Sequence, residues 1–175
     1  MSRIKVFTRS EAVHTCCINA VAEPQIHCLA DIIFVVDGSG ERISYYFDLM
    51  KSVLSRAVGK LDVDSGNTRV GLVIYSTDVE TSFNLDAYKS NTTLIQAAIS
   101  KLIYYPGGTN TAGALVYVRE RMLTPQAGDR SDVDNVIVVF IDENSDNRTA
   151  TWVSKILKQV RPSVFTRATL CLRGY

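Results

Sequence analysis

The sequence predicts a three-layer α/β domain, with a mostly parallel open sheet, one antiparallel edge strand and helices on both faces. Three continuous apolar runs, at residues 31–36, 69–76 and 135–141, have the length and the branched side chains of strands buried on both faces. Segments in which apolar residues recur every three or four positions separate these runs and predict helices. Strands and helices that alternate in this way are joined by parallel crossover connections.

The first half of the domain is predicted to contain two strands, a helix and a hairpin. The strand at residues 31–36 leads into a helix with one apolar face. The members of this apolar face are Ile43, Tyr46, Phe47, Met50, Val53, Leu54, Ala57 and Leu61. A polar loop at residues 62–67 precedes the strand at 69–76, and residues 79–85 are expected to pair with that strand as an antiparallel hairpin.

The second half is predicted to contain three helices and one further strand. Apolar stripes predict helices at residues 91–104, 109–123 and 149–160. The strand at 135–141 is followed directly by Asp142. Residues 161–175 can form at most one strand, so the domain is expected to be short at its C-terminal end.

Length and composition are those of one folded domain, with 175 residues, 46% hydrophobic residues and a net charge of +1. This charge gives no reason to expect nucleic acid or a membrane surface as a partner, and no apolar stretch reaches the roughly 18–20 residues that cross a bilayer. Residues 1–28 show no sustained period and are interpreted as a leader or linker before a domain at 29–175. The basic start lacks the apolar core of a signal peptide, which leaves a cytosolic protein or a fragment of an exported one.

The four cysteines, Cys16, Cys17, Cys28 and Cys171, lie near the two ends of the sequence. No pair has the Cys-x-x-Cys spacing of a zinc or redox site. Cysteines that flank a core suit a disulfide that ties the termini together in an oxidising compartment. The spacing alone does not choose among the possible pairings.

Oxygen-bearing side chains occur at three places where loops are expected to meet. Asp37, Ser39 and Glu41 follow the first strand, residues 107–111 precede a helix, and residues 142–146 follow the last buried strand. Ligands of open α/β sheets bind at the carboxyl ends of the strands, so these segments are expected to converge. Carboxylates and hydroxyls without histidine or cysteine favour Mg²⁺, Ca²⁺ or Mn²⁺ over zinc or copper.

These segments resemble, in the same order, the metal motifs of von Willebrand factor A domains. Asp37, Ser39 and Glu41 match the Asp-x-Ser-x-Ser motif of the family, with Glu41 in place of the last serine. Thr109 matches the threonine of the Gly-Gly-Thr-Asn-Thr segment, and Asp142 matches the aspartate that ends the fourth strand. The resemblance implies a Rossmann-like sheet with a metal-ion-dependent adhesion site, where a divalent cation keeps one position open for an acidic group of a partner protein.

The resemblance also implies where such a domain works. It covers residues 30–160 and implies an extracellular protein-binding module of a matrix or collagen-associated protein, with Mg²⁺, Mn²⁺ or Ca²⁺ as cofactor and collagen as a candidate partner. Matrix-type members often carry a cysteine before the first strand that pairs with one near the C-terminus, which implies a disulfide between Cys28 and Cys171. Glu41 is expected either to fill the open metal position or to swing away from the ion.

Some of these residues also have simpler interpretations. Thr109 can cap the helix that follows it, and Asp31 is expected to face solvent at the start of its strand. Asn91 and Asn147 each begin an N-glycosylation sequon, Asn-x-Thr, which matters only if the chain is exported.

Two other classes of function stay open at this point. The first is a structural role in matrix assembly that needs no metal, and EDTA would leave such assembly unchanged. The second is a metal-dependent phosphohydrolase built on Asp37, Asp142 and Asp146. The sequence contains no Gly-x-Ser-x-Gly elbow, Walker loop or complete dinucleotide turn, so an enzyme is not expected.

Overall fold

The computed structural model describes residues 3–8, 29–39, 44–141 and 166–170. Its strands are β1 (Arg3–Thr8), β2 (Ala30–Asp37), β3 (Thr68–Tyr75), β4 (Val79–Phe83), β5 (Asp134–Ile141) and β6 (Thr166–Leu170). Its helices are α1 (Ser44–Val58), α2 (Thr92–Ser100) and α3 (Thr111–Tyr117), followed by a π-helical turn at Val118–Met122 and a 3₁₀ turn at Pro125–Ala127. Within this part of the chain, no helix is long and apolar enough to cross a membrane.

The six strands form one sheet in the order β4-β3-β2-β5-β1-β6. β2 pairs in parallel with β3 and β5, while β4 pairs antiparallel with β3 at one edge. This arrangement confirms the predicted mostly parallel sheet with an antiparallel edge strand. A second antiparallel strand, β1, lies between β5 and β6, so β6 runs in the same direction as β2.

The sequence predicts no regular element within residues 1–28, and this prediction is wrong for residues 3–8. These residues form β1, which pairs with β5 from Arg3 opposite Ile141 to Thr8 opposite Val136. Six residues are too few for a period to stand out from a sequence that otherwise shows none. The pairing has a physical reason, because β5 would otherwise present unpaired backbone groups along one side.

Side chains of the parallel strands point alternately into two separate cores. On one face, Ile32, Phe34 and Val36 of β2 lie in the core that includes residues of α1 and α2. On the other face, Ile33 and Val35 lie in the core that includes residues of α3 and its π-helical turn. Helices on both faces of the sheet are thereby confirmed, and β2 is buried on both sides.

Helix α2 is shorter than the predicted helix at residues 91–104. It begins after Asn91, whose Oδ1 accepts a hydrogen bond from the backbone N–H of Leu94 at 2.9 Å, and it ends at Ser100. Tyr104 lies beyond the helix and packs edge-on against the ring of Phe47 in α1, with ring centroids 5.8 Å apart. Leu102 and Tyr104 therefore pack against the core without continuing the helix, whereas Ile103 and Tyr105 are exposed.

Where the parallel strands β2, β3 and β5 begin, an end of the sheet that we call its amino edge, Asp31 forms a buried ion pair with Arg130. Asp31 is 0% exposed, so the prediction that it faces solvent is wrong. Nε and Nη2 of Arg130 donate to Oδ1 of Asp31 at 2.9 and 2.6 Å, and the backbone N–H of Arg130 donates to Oδ2 at 2.9 Å. The carboxylate can be buried because these donors replace the water that it loses.

The same guanidinium also joins two segments of backbone. It donates to the carbonyl oxygens of Ala30, Gly66 and Asn67 at 2.9 to 3.2 Å, which connects the start of β2 to the loop before β3. Gly128, two residues before Arg130, has a left-handed φ of 90°. A Cβ at this position would lie 2.5 Å from Cβ of Asp86, so the turn requires glycine. Arg130 thus closes the amino edge of the sheet.

We expect Arg130→Met to lower the free energy of unfolding by about 3–5 kcal/mol, because it leaves the Asp31 carboxylate buried without its cation. Chemical denaturation measures this change. The matched control is Asp48→Ala, which removes the exposed ion pair between Asp48 and Lys51 and should cost less than about 1 kcal/mol. Equal losses for the two variants would contradict the assigned importance of the buried pair.

Candidate metal centre

The candidate centre lies at the carboxyl end of β2. Asp37 ends this strand and stands opposite Tyr75, the last residue of β3. The backbone N–H of Gly38 donates to the carbonyl oxygen of Tyr75 at 2.8 Å, which extends the pairing by one residue. Because β3 and β5 flank β2 on opposite sides, Asp37 occupies the position in the sheet where open α/β folds bind their ligands.

Ser39 folds back onto the carboxylate of Asp37. The backbone N–H and the hydroxyl of Ser39 both donate to Oδ1 of Asp37, at 2.9 and 2.5 Å. Ser39 is only 6% exposed, so its hydroxyl is held in a fixed place. The intervening Gly38 runs close to β3, since a Cβ at this position would lie 3.1 Å from Cγ1 of Ile74.

A second loop, residues 107–110, packs against the end of β3. The backbone N–H of Gly108 donates to Oγ1 of Thr77 at 2.8 Å, and the backbone N–H of Asn110 donates to the carbonyl oxygen of Ser76 at 2.8 Å. A Cβ on Gly107 would lie 2.7 Å from Oγ1 of Thr77, so a side chain larger than that of glycine would push the loop away. The loop is therefore held at a fixed distance from β2.

This packing brings Thr109 onto Ser39. Their hydroxyl oxygens are 2.8 Å apart. A hydroxyl has one proton, and the proton of Ser39 goes to Asp37, so Thr109 donates to Ser39. The alternative role of Thr109 as a helix cap falls instead to Asn110, whose Oδ1 accepts from the backbone N–H of Gly113 at 2.9 Å.

Below these oxygens, Tyr75 and Thr111 form a buried hydrogen-bonded pair. Their hydroxyl oxygens are 3.1 Å apart, and the residues are 1% and 2% exposed. Burial raises the pKa of Tyr75 above its ordinary range, the negative charge of Asp37 raises it further, and hydrogen bonding to Thr111 opposes the rise. Tyr75 is therefore a neutral phenol that connects the end of β3 to the first turn of α3.

The described oxygens fit a small divalent cation. An octahedral Mg²⁺ ion has ligand oxygens at about 2.1 Å, which puts neighbouring ligands about 3 Å apart. The separations in the structure, 2.5 Å from Ser39 Oγ to Asp37 Oδ1 and 2.8 Å from Ser39 Oγ to Thr109 Oγ1, are hydrogen-bond distances slightly shorter than that value, so a small shift would let these oxygens share one ion. Ser39 is buried and Thr109 is exposed, so the cluster opens from the protein interior towards solvent. In the described ranges, no three His, Cys, Asp or Glu residues come together as a metal cluster.

Three of the five predicted ligands, Asp37, Ser39 and Thr109, are therefore brought together. Glu41 and Asp142 lie outside the described residues, and their roles stay predictions. The same holds for the cysteines, including the pair Cys28 and Cys171, and for the second sequon at Asn147.

The sequence analysis missed the part of the centre that comes from the end of β3. Tyr75, Ser76 and Thr77 follow a buried apolar run, as Asp37 and Ser39 follow theirs. Because parallel strands end at the same edge of a sheet, this polar sequence was a usable signal. Asn110 could have been recognised as a preferred N-cap residue directly before a helical stripe.

Comparisons with known proteins agree with this geometry. A family model for the von Willebrand factor type A domain matches residues 31–170. The collagen alpha-1(XX) chain of Homo sapiens is 31% identical over 148 residues, which cover 82% of this chain and 11% of the collagen chain. Matrilin-1 of Gallus gallus is 35% identical over 117 residues, which cover 67% of this chain and 24% of matrilin-1. The chain thus spans a quarter or less of the length of these relatives.

A solved structure gives the same result in three dimensions. Proximal thread matrix protein 1 from the mussel byssus superposes with a TM-score of 0.56 at 26% identity, over 62% of this chain and 28% of that protein. Another structure of the same mussel protein, with an equal TM-score, has zinc in its metal-ion-dependent adhesion site (MIDAS) motif. With the family match over residues 31–170, the chain belongs to the von Willebrand factor type A domain family.

Proposed function

We propose that the chain is a protein-binding module of an extracellular matrix, and that it binds its partners through a divalent cation. The observation that carries the proposal is the contact of Asp37, Ser39 and Thr109, which come from two loops and meet through hydrogen bonds of 2.5 and 2.8 Å. The similarity to a collagen chain and to matrilin-1 supports a matrix role and a collagen-type partner.

The residues divide the work of holding such a cation. Asp37 supplies negative charge at the end of a rigid central strand, and Ser39 and Thr109 supply neutral oxygens. Bound there, a divalent cation would offer an open coordination position to an acidic side chain of the partner. Few direct carboxylates leave the cation poorly neutralised, so it keeps its attraction for that acid. We propose Asp142 as the remaining family ligand and Glu41 as the residue that adjusts this charge.

The identity of the cation is also part of the proposal. Hard oxygen donors favour Mg²⁺, with Mn²⁺ or Ca²⁺ as substitutes. The mussel protein has zinc in its corresponding motif, which shows for that protein that such a site accepts a borderline metal. Zinc therefore belongs among the ions to be compared directly on this chain.

A metal-independent structural role is the second candidate. It is favoured by the similarity to a thread matrix protein, because a matrix protein can assemble through surfaces that need no cation. The two candidates differ in one property that is easily measured, the sensitivity of binding to EDTA.

We expect saturating Mg²⁺ to raise the melting temperature, because a ligand that binds only the native state stabilises it by mass action. At a hundredfold excess over the dissociation constant the gain is about 2.7 kcal/mol, or about 5–10 °C for a domain of this size. Asp37→Ala should abolish the gain. Differential scanning calorimetry with Mg²⁺, Mn²⁺, Ca²⁺ and Zn²⁺ measures the effect and ranks the ions.

The control for this experiment is Asp132→Ala. Asp132 is an exposed carboxylate just before β5, at the edge of the sheet opposite the candidate centre. Its loss should leave the metal-induced gain unchanged. A wild-type melting temperature that none of the four ions raises would count against a cation site.

The partner prediction uses immobilised collagen as the probe. In Mg²⁺ the wild-type chain and Asp132→Ala should bind, while EDTA and Asp37→Ala should each reduce binding at least about tenfold, the loss of about 1.4 kcal/mol. Surface plasmon resonance with and without EDTA measures this. Binding that persists unchanged in EDTA and in Asp37→Ala would instead support the metal-independent structural role.

Tyr75 is expected to position the ligands without touching the cation. Tyr75→Phe removes the hydroxyl that contacts Thr111 beneath the centre, and changes of such supporting groups weaken metal affinity by about 10–100-fold. Isothermal titration with Mg²⁺ measures the change. Tyr88→Phe removes a phenol hydroxyl from a ring that packs on Phe83 elsewhere and serves as the control. Equal affinities for the two variants would contradict the positioning role.

A further inference from the structure

We infer that Asn91 carries an N-linked glycan, at the edge of the sheet opposite the candidate metal centre. The inference rests on the extracellular location given in the proposed function, but it does not need the cation. Asn91-Thr92-Thr93 satisfies the Asn-x-Thr acceptor pattern, and its middle residue is not proline. The structure adds the exposure, the geometry and the location that the sequence motif by itself does not supply.

The acceptor sequence lies at the surface. Asn91 is partly exposed and immediately precedes the short helix α2, and Thr93 in its first turn is exposed. The acceptor residue and the hydroxyl residue of the sequon are therefore accessible to solvent in the folded protein. The two buried residues of α2 are Ile95 and Ile99, which lie one and two turns further along the helix, within the core.

The role of Asn91 as helix cap is compatible with a glycan. The cap uses the side-chain oxygen Oδ1, which accepts the backbone N–H of Leu94 at 2.9 Å. Glycosylation uses the side-chain nitrogen Nδ2: it forms a bond to the anomeric carbon of a lipid-pyrophosphate oligosaccharide, loses one proton and releases the lipid pyrophosphate. The primary amide becomes a secondary amide with its carbonyl oxygen intact, so the cap survives.

The hydrogen bonds around Asn91 place it at the amino edge of the sheet. The backbone N–H of Thr92 donates to Oδ1 of Asp64, in the loop that leads into β3. That strand begins at Thr68, beside the start of β2, whereas Asp37 ends β2. Eight residues of strand rise about 3.3 Å each, so the two edges are about 23 Å apart. A glycan on Asn91 therefore leaves the candidate centre open to a protein partner.

The test is to send the full 175-residue chain with Asn147→Gln through the secretory pathway of a eukaryotic host. The Asn147→Gln change leaves the one at Asn91 as the only Asn-x-Ser/Thr sequon of the sequence. Peptide N-glycosidase should convert Asn91 to aspartate in the mapped peptide and increase the electrophoretic mobility of the protein. Thr93→Ala should abolish the modification while it keeps the Asn91 cap, and Thr92→Ala, the same change one residue earlier, should retain it. Thr93→Ser should retain it as well.

A secreted protein whose Asn91 peptide is unmodified would overturn the inference, and this mapping needs no variant at Thr93. Binding to collagen in Mg²⁺ and EDTA is measured on the same material. Cation-dependent binding without a glycan would refute only the glycan. A glycan on Asn91 together with binding that EDTA does not change supports the inference and refutes only the cation-dependent function.

Discussion

Parallel pairing of β2 on both sides is the constraint on which the rest of the structure depends. β2 lies between β3 and β5, and its side chains point alternately into two cores, so it can neither shift its register nor turn over without exposing apolar residues. Asp37 inherits this rigidity as the last residue of the strand. A carboxylate fixed in this way keeps its place when a cation or a partner binds, and little binding energy is spent on ordering it.

The loop at residues 107–110 is positioned relative to the end of β2 by its hydrogen bonds to the residues that follow β3. Thr109 reaches Ser39 only because residues 107–110 are bonded to Ser76 and Thr77, which follow the strand that pairs with β2. The position of Thr109 is thus set by the same sheet that sets Asp37, although the two residues are far apart in sequence. A site built from hydrogen-bonded loops on a common rigid support keeps ligand oxygens near their working separation, which metal binding requires within a few tenths of an ångström.

Sequence reasoning predicted the sheet, its parallel centre and three oxygens of the site, because these follow from apolar runs and from the rule that ligands gather at strand ends. It did not find β1, since six residues carry too little pattern. It placed Asp31 in solvent, because a carboxylate at a strand start is usually exposed and its partner Arg130 is 99 positions away. It offered Thr109 as a candidate helix cap, a role that Asn110 takes in the structure. Long-range pairing and exact element ends are properties of the folded chain, and single-sequence patterns do not contain them.

The two ends of β2 each have an aspartate, and the two carboxylates are stabilised in different ways. At the amino edge, Arg130 donates to Asp31 and to three backbone carbonyls, so the negative charge of Asp31 is balanced by a positive charge within the protein. At the carboxyl edge, Asp37 accepts hydrogen bonds from the backbone and the hydroxyl of Ser39, and exposed Thr109 contacts that hydroxyl next to water. An acid that is satisfied by a buried arginine has no affinity left for a cation, whereas an acid held by hydroxyls can exchange those contacts for a metal ion. The same residue type thus contributes to stability at one end of β2 and, in the function that we propose, to cation binding at the other.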